Sequence, residues 1–321
     1  MTESKQHADF LSVVIPCYNE QESLREMHKR MDAVCRSAPV ADYEIILVND
    51  GSRDKTLDIM QDLLSKNPHL VIVNLSRNHG HQLALTAGLF QAKGDYILIL
   101  DADLQDPPEL LLPMLDRARA GVDVVYGKRD QREGETLFKI VSAGLFYRFL
   151  SYLSSVPIPR DAGDFRLITR RVLEQFKSMP ECHRFIRGMI AWIGYRQEAF
   201  SYKRAPRYDG VTKYPFFKMV QFAADAVCSF SVKPLRISLL FAIFGAALAG
   251  LFGLYAIYAY FFHRTVAGWT SLAAIIAFFS SLQLLCIGMI GEYVGNTYIQ
   301  VKQRPLFLIQ DILRATDTPK E

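Results

Sequence analysis

Short runs of branched apolar residues alternate, along the first part of the chain, with segments whose apolar positions recur every three or four residues. LSVVIP (Leu11–Pro16), YEIILVND (Tyr43–Asp50), LVIVNLS (Leu70–Ser76), YILIL (Tyr96–Leu100) and DVVYGKR (Asp123–Arg129) read as five strands. Between them, Glu20 to Cys35 carries Leu24, Met27, Met31 and Val34 at helical spacing, and Lys55–Lys66 and QLALTAGLFQA supply two more helices. Apolar strands separated by amphipathic helices predict an α/β domain whose mainly parallel sheet is covered on both faces. Ligands bind such sheets beyond the carboxyl ends of the strands. Here those ends are polar: PCYNE, NDGS, SRNHG and DADLQ.

The pattern changes further on. Ile237–Phe262 runs for about 26 residues without a charge, and Thr265–Gly291 is a second uncharged stretch of similar length. A bilayer core needs about 20 apolar residues as helix, and GAALAG and FGLY suit close helix contact in lipid. Only His263 and Arg264 interrupt the two stretches, which predicts a tight hairpin of two membrane helices, about 237–262 and 266–291. Lys233 and Arg236 precede the hairpin and Lys302 and Arg304 follow it, so both flanks are expected in the cytoplasm. The predicted organisation is a cytoplasmic domain over 1–232, the hairpin within 233–295 and a cytoplasmic tail over 296–321. Two apolar, aromatic segments, Leu137–Leu153 and Tyr214–Val232, read as helices lying in the membrane interface; for the first, a core helix is the alternative.

Composition narrows this picture. A net charge of +4 over 321 residues gives no reason to expect a nucleic-acid partner. Cys17, Cys35, Cys182, Cys228 and Cys286 form no C-x-x-C pair, which argues against a disulfide framework or zinc site and for a reducing compartment. MTESKQHADF lacks an apolar core, so no cleaved signal peptide is expected. Neither G-x-G-x-x-G nor a Walker-type phosphate loop occurs, which disfavours a nicotinamide enzyme or P-loop ATPase.

The fourth strand runs straight into acids, as ILILDADLQDPPE. In an extended chain Asp101 and Asp103 would project the same way, with Gln105 behind them. Two carboxylates and an amide oxygen suit Mg²⁺ or Mn²⁺, which retains waters and takes further ligands from substrate phosphates. A solvated turn is the plain alternative. His79 and His81 flank Gly80; lacking further ligands, they read as a binding turn rather than a metal pair.

SVVIPCYNE, VNDGSRDKT, SRNHG, GDYILILDADLQDPPE, YGKR and GDFRLITRR together resemble the family 2 inverting glycosyltransferases, and within them the polyprenyl-phosphate branch of bactoprenol glucosyltransferases and dolichyl-phosphate mannose synthases. The similarity spans almost the whole chain, through the paired apolar stretches and GEYVGNTYIQVKQRP. It implies a GT-A type domain that transfers one sugar, glucose as the first expectation, from a nucleotide-sugar to undecaprenyl phosphate with inversion. The donor would be UDP-linked, a GDP-mannose user of the dolichyl type being the alternative and a non-catalytic scaffold a more distant one. The resemblance further implies a multi-pass protein of the bacterial inner membrane and a homo-oligomer such as a tetramer.

By the same resemblance Pro16, Tyr18, Glu20, Asp50, Arg77, Asp101 and Ala102 hold the donor, and Asp101, Asp103 and Gln105 the metal and diphosphate. Pro16 is also a strand terminator, Glu20 a helix-start acid, and Asp50 in N-D-G-S ordinary turn chemistry. A phosphate acceptor has a second pKa near 6, so it needs cations to gather it more than a base. Arg129, Arg166, Arg207 and Lys213 are the candidates, with Lys139 added by rough position. Asp103, Arg129 and Asp164 complete the expected catalytic set; Asp161 is the alternative to Asp164.

Overall fold

The computed structural model describes residues 9–129, 162–202, 233–262 and 268–315. It divides into two units: an α/β unit to which the described residues up to Tyr202 and from Pro305 onward belong, and a helical unit containing 233–262 and 268–304.

Among the described residues of the first unit, eight strands form one sheet: β1 (Phe10–Cys17), β2 (Asp42–Asn49), β3 (Leu70–Leu75), β4 (Tyr96–Ile99), β5 (Val124–Arg129), β6 (Ala162–Thr169), β7 (Gln197–Tyr202) and β8 (Ile309–Arg314). Their order is β7-β5-β6-β4-β1-β2-β3-β8. The centre, β4-β1-β2-β3, is parallel, whereas β6 is antiparallel to both β4 and β5, and β8 is antiparallel to β3. The central strands are buried almost end to end, as their unbroken apolar runs require when both faces are covered.

Helices α1 (Leu24–Ser37), α2 (Thr56–Leu64) and α4 (Leu111–Arg119) pack on one face, where Leu24, Met27, Met31, Met60, Met114 and Leu115 join Leu11, Val13, Ile15, Leu98 and Leu167 in the main core. Helix α3 (His81–Gln91) crosses the other face, together with α5 (Arg170–Ser178) and α6 (Ile186–Ile193). A Cβ at Gly88 of α3 would lie 2.4 Å from Val14 Cγ1 and 2.7 Å from Val48 Cγ2. Only glycine lets α3 sit this close to the sheet, and that closeness fixes where its first residue, His81, stands.

The five predicted strands and three helices are present with ends shifted by a few residues. β6, β7 and β8 were not predicted as strands. The helical unit contains α7 (Lys233–Phe262) and α8 (Trp269–Val301). The two pack together near Gly245, where an added Cβ would meet Leu282 and Phe279 at 3.3–3.4 Å. Among the described residues one helix is long and apolar enough to cross a membrane, over Phe278–Val301, and none of its most apolar stretch is buried. The helix therefore runs about ten residues past its predicted end, because nothing breaks it before Gln303, at φ 47°, and Pro305. Within the region expected as a tail, 296–321, the chain continues as helix to Val301 and then forms β8, the edge strand of the α/β unit. The proposed interface helices, 137–153 and 214–232, lie outside the described residues.

Candidate active site

Every polar strand end named above meets at the carboxyl edge of the central strands. Because β6 is antiparallel, it brings its beginning, Gly163 and Asp164, to the same edge. Its register with β4, Ile99 opposite Arg166, carries Asp164 alongside Asp101.

Asp164 is almost fully buried, and both its oxygens are engaged. Arg187, in the first turn of α6, donates from Nε to Oδ1 at 2.7 Å and from Nη2 to Oδ2 at 3.2 Å. Gln82 donates from Nε2 to Oδ2 at 3.0 Å, while its own Oε1 accepts the Ile186 amide at 3.0 Å and so caps α6. His81 Nε2 lies 3.3 Å from Asp164 Oδ2 and 3.5 Å from Asp101 Oδ1. Burial alone would raise the pKa of Asp164, but Arg187 and His81 overcome it and hold the carboxylate well below its usual range.

His81 shows the reverse balance: burial opposes its charge, yet Asp164 and Asp101 raise its pKa to about 9. A cation on the first residue of a helix is disfavoured by the helix dipole, so those carboxylates are what hold the imidazolium there. Asp101 is itself raised to about 6, chiefly by burial and then, against the pull of His81, by the neighbouring carboxylates of Asp164, Asp106 and Asp103.

The acidic loop differs from the sequence-based expectation. β4 ends at Ile99 and the chain turns at Ala102–Leu104, with Leu104 at φ 58°, so strand alternation does not set Asp101 and Asp103 side by side. Asp103 Oδ1 instead accepts the Gln105 amide at 3.2 Å. Asp106, fully buried, accepts a hydrogen bond from the Tyr202 hydroxyl and ties the loop to β7. Ala102 is buried beneath the turn. Among the described residues no three His, Cys, Asp or Glu side chains surround a common point. One feature does fit a cation: Asp101 Oδ1 is buried and accepts no hydrogen bond among the described residues.

At the other strand ends the backbone is fixed by side chains. Asp50, 2 % exposed, accepts the amides of His79 at 2.7 Å and Gly80 at 3.0 Å; burial raises its pKa despite those bonds. Gly51, at φ +63°, passes so close to Asn78 that a Cβ would lie 2.5 Å from its amide nitrogen. Asn19, at φ 55°, donates its amide to Ser52 Oγ, and the Glu20 amide donates to Thr56 Oγ1. Pro16 is buried in β1, Tyr18 is 38 % exposed, and Arg77 is exposed with Nη1 on the Asn78 carbonyl.

Of the cations expected to meet the acceptor, Arg166 is buried, its guanidinium on the backbone carbonyls of Gly163 at 2.8 Å and Asp164 at 3.3 Å. Burial lowers its pKa to about 10. Arg129 ends β5. Lys139, Arg207, Lys213 and Asp161 lie outside the described residues. Sequence reasoning missed Arg187, Gln82 and the bridging place of His81. The pairing of a strand-start acid with a helix 23 residues on leaves no periodic trace, although the two histidines around Gly80 marked the right turn.

Residues 12–176 match the family described as Glycosyl transferase family 2. A Bacillus subtilis protein named uncharacterized glycosyltransferase YkcC is 41% identical over 93% of this chain and 93% of its own length. A Shigella flexneri protein named SfII prophage-derived bactoprenol glucosyl transferase is 36% identical over 94% of this chain and 97% of its own. A looser likeness of fold links the chain to the crystal structure of mannosyl-3-phosphoglycerate synthase from Rubrobacter xylanophilus, with TM-score 0.49 and 18% identity over 71% of this chain and 74% of that one. A mostly parallel α/β sheet with its polar residues gathered at one edge, a family match over about half the sequence and relatives of this identity over nearly all of it agree: the chain belongs to glycosyl transferase family 2 and is a glycosyltransferase with a GT-A-like fold.

Proposed function

We propose that the protein transfers one sugar, glucose in the first instance, from a UDP-linked donor to a polyprenyl phosphate at the cytoplasmic face of a membrane. The observation that carries this reading is the 36% identity to a protein named bactoprenol glucosyl transferase over 94% of this chain, a span that includes the helical unit. The apolar stretch of α8, none of it buried, supports a membrane site for the acceptor, and α7 would form a second span with it. Lys233, Arg236, Lys302 and Arg304 at the outer ends favour a cytoplasmic α/β unit.

In the reaction an acceptor phosphate oxygen attacks the anomeric carbon as the bond from that carbon to the diphosphate breaks. The nucleoside diphosphate leaves from the opposite face, and the configuration inverts. The acceptor, with a second pKa near 6, is largely ionised already and gives up no proton in the step. Asp164, held well below the usual carboxylate range, is correspondingly unsuited to act as a base. It would instead position His81 and Arg187, whose side chain, 37% exposed, is placed to receive a phosphate. Arg166 would brace the start of β6, with Arg129, Lys139, Arg207 and Lys213 remaining candidates for the acceptor.

Asp50 would shape the donor loop through the His79 and Gly80 amides, leaving Pro16, Tyr18, Glu20, Arg77 and Ala102 along the donor's path. Asp101, through its Oδ1, which accepts no hydrogen bond among the described residues, with Asp103 and Gln105, would hold Mg²⁺ or Mn²⁺. Such ions need only one or two carboxylates when substrate phosphates complete their shell. Bound there, the cation would supply neutralisation of the departing diphosphate.

The test is transfer by detergent-solubilised full-length protein to undecaprenyl phosphate, from a panel of labelled UDP- and GDP-sugars with either metal. Lipid-linked product from UDP-glucose, lost in Asp103→Asn, is expected. Product from GDP-mannose alone would replace the donor assignment, and absence of any metal-dependent nucleotide binding would overturn the proposal.

A further inference from the structure

One row of residues crosses four strands at the site edge. Cys17 of β1 stands opposite Asn49 of β2, Asn49 opposite Asn74 of β3, and Asn74 opposite Asp311 of β8. Asn49 and Asn74 are 2% and 6% exposed, in strands that are otherwise apolar. Burying two amides there costs free energy unless their hydrogen bonds are made.

They are made in one direction. Asn74 Nδ2 donates to Asp311 Oδ2 at 2.9 Å, and Asn49 Nδ2 donates to Asn74 Oδ1 at 2.8 Å. The Ser52 amide donates to Asn49 Oδ1 at 3.1 Å, and the Asn19 amide donates to Ser52 Oγ at 3.1 Å. Asp311 ends this chain, and an ionised carboxylate only accepts. It therefore turns the Asn74 amide so that its NH₂ faces β8, which turns Asn49 the same way and leaves Asn49 Oδ1 to hold the N-D-G-S turn. A charged terminal acceptor also strengthens the adjoining bond relative to a neutral one.

Leu308, the residue just before β8, reaches the third loop directly. The Ser76 amide donates to the Leu308 carbonyl at 2.9 Å, and the Leu308 amide lies 3.4 Å from His79 Nε2. His79 in turn gives its own amide to Asp50. A strand formed after both long helices thus touches or orients the loops that end β1, β2 and β3.

We infer that Asp311 is a positioning residue for the nucleotide-sugar: docking of β8 sets the donor loops that follow β1 and β2 through the Asp311–Asn74–Asn49–Ser52–Asn19 relay. This rests on the proposed reading of those loops as the donor site. It assigns Asp311 no contact with substrate.

The experiment compares wild type, Asp311→Ala and Asp311→Asn as full-length protein in detergent. It measures UDP affinity by calorimetry, donor KM and kcat by transfer, and amide hydrogen exchange over residues 17–20 and 50–53. Asp311→Ala should weaken UDP binding and raise donor KM about 5- to 20-fold, with kcat within about twofold, consistent with loss of a charge-assisted, partly buried hydrogen bond. Exchange in the two loops should quicken. Asn at 311 retains an acceptor oxygen and should recover most of the affinity. If Asp311→Ala lowers Tm below the assay temperature, Asp311→Ser provides the same comparison with β8 kept polar. Unchanged UDP affinity and loop exchange, with only a lower Tm, would overturn the inference and leave Asp311 a structural residue. Failure of the wild type itself to bind UDP or GDP would instead overturn the donor reading, and this inference with it.

Discussion

Arg187 grips Asp164 through both carboxylate oxygens, Nε to Oδ1 at 2.7 Å and Nη2 to Oδ2 at 3.2 Å, and so joins the first turn of α6 to the start of β6. The planar guanidinium is what makes a two-point grip available, and lysine cannot reproduce it. Arg187→Lys is expected to lower transfer about 10²-fold, the scale of losing one well-placed donor at a reacting centre. It should destabilise the unit by about 1–3 kcal/mol, less than a fully buried pair would lose because the Arg187 side chain is partly exposed. Steady-state kinetics and thermal melts measure the two effects separately. Wild-type turnover in Arg187→Lys would leave the pair without a catalytic part.

The folded-state pKa of His81 is raised from 6.5 to about 9. Its contribution to stability is therefore full below about pH 6.5 and is lost as pH rises through about 9. Metal-free protein should show a falling Tm across that window, and His81→Asn should flatten the fall. Asp164, whose pKa is depressed, acts at the other extreme: its contribution is present above the unfolded value near 4 and is lost only in stronger acid. An unaltered pH profile in His81→Asn would show that the imidazolium is not what the two carboxylates hold.

Gly51→Ala should be among the most damaging single-methyl changes in the α/β unit. It forces φ +63° on a residue with a Cβ, 2.5 Å from a backbone nitrogen that has no room to yield. Left-handed backbone and overpacking together cost about 2–4 kcal/mol. Chemical denaturation measures the loss, and donor KM should rise as well, since the contact joins the β2 and β3 loops. A loss under about 1 kcal/mol would show that the loops part easily.

Two membrane spans require the Phe262–Gly268 connection and the Lys302 end of α8 to lie on opposite sides of the bilayer. In a chain whose five native cysteines are replaced, Arg264→Cys should react with an impermeant maleimide on intact cells. Lys302→Cys should react only after permeabilisation. Labelling of both positions from the same side would exclude the paired-span arrangement.

The central strands were legible because they are buried on both faces and read as unbroken apolar runs. The neighbouring helices were legible from Leu24, Met27, Met31 and Val34, which carry the helical period. β6 escaped because Asp164 and Arg166 interrupt its apolar pattern, and those two polar residues are buried on account of what they bind. β7, QEAFSY, is a half-exposed edge strand, and β8 is separated from its partner by the length of both long helices. The acids of DADLQ marked the right edge of the sheet but not their own arrangement, because β4 stops at Ile99 and the chain is already turning at Ala102, which sequence spacing alone does not show. Arg187 and Gln82 gave no local signal, since their roles arise only when α3, α6 and β6 are brought together.

Asn74 and Asp311 pair across 237 residues of sequence, and this orders events during synthesis. When β3 leaves the ribosome its outer edge has no neighbour, and it stays so while both apolar helices are made. Until Arg314 emerges the nascent sheet presents Leu70–Leu75 as an open template for other strands, a known hazard of unpaired edges. A message cut short after the helices would yield a chain that has both of them yet cannot close its sheet. Such a product would expose an unpaired edge of the kind that invites aggregation.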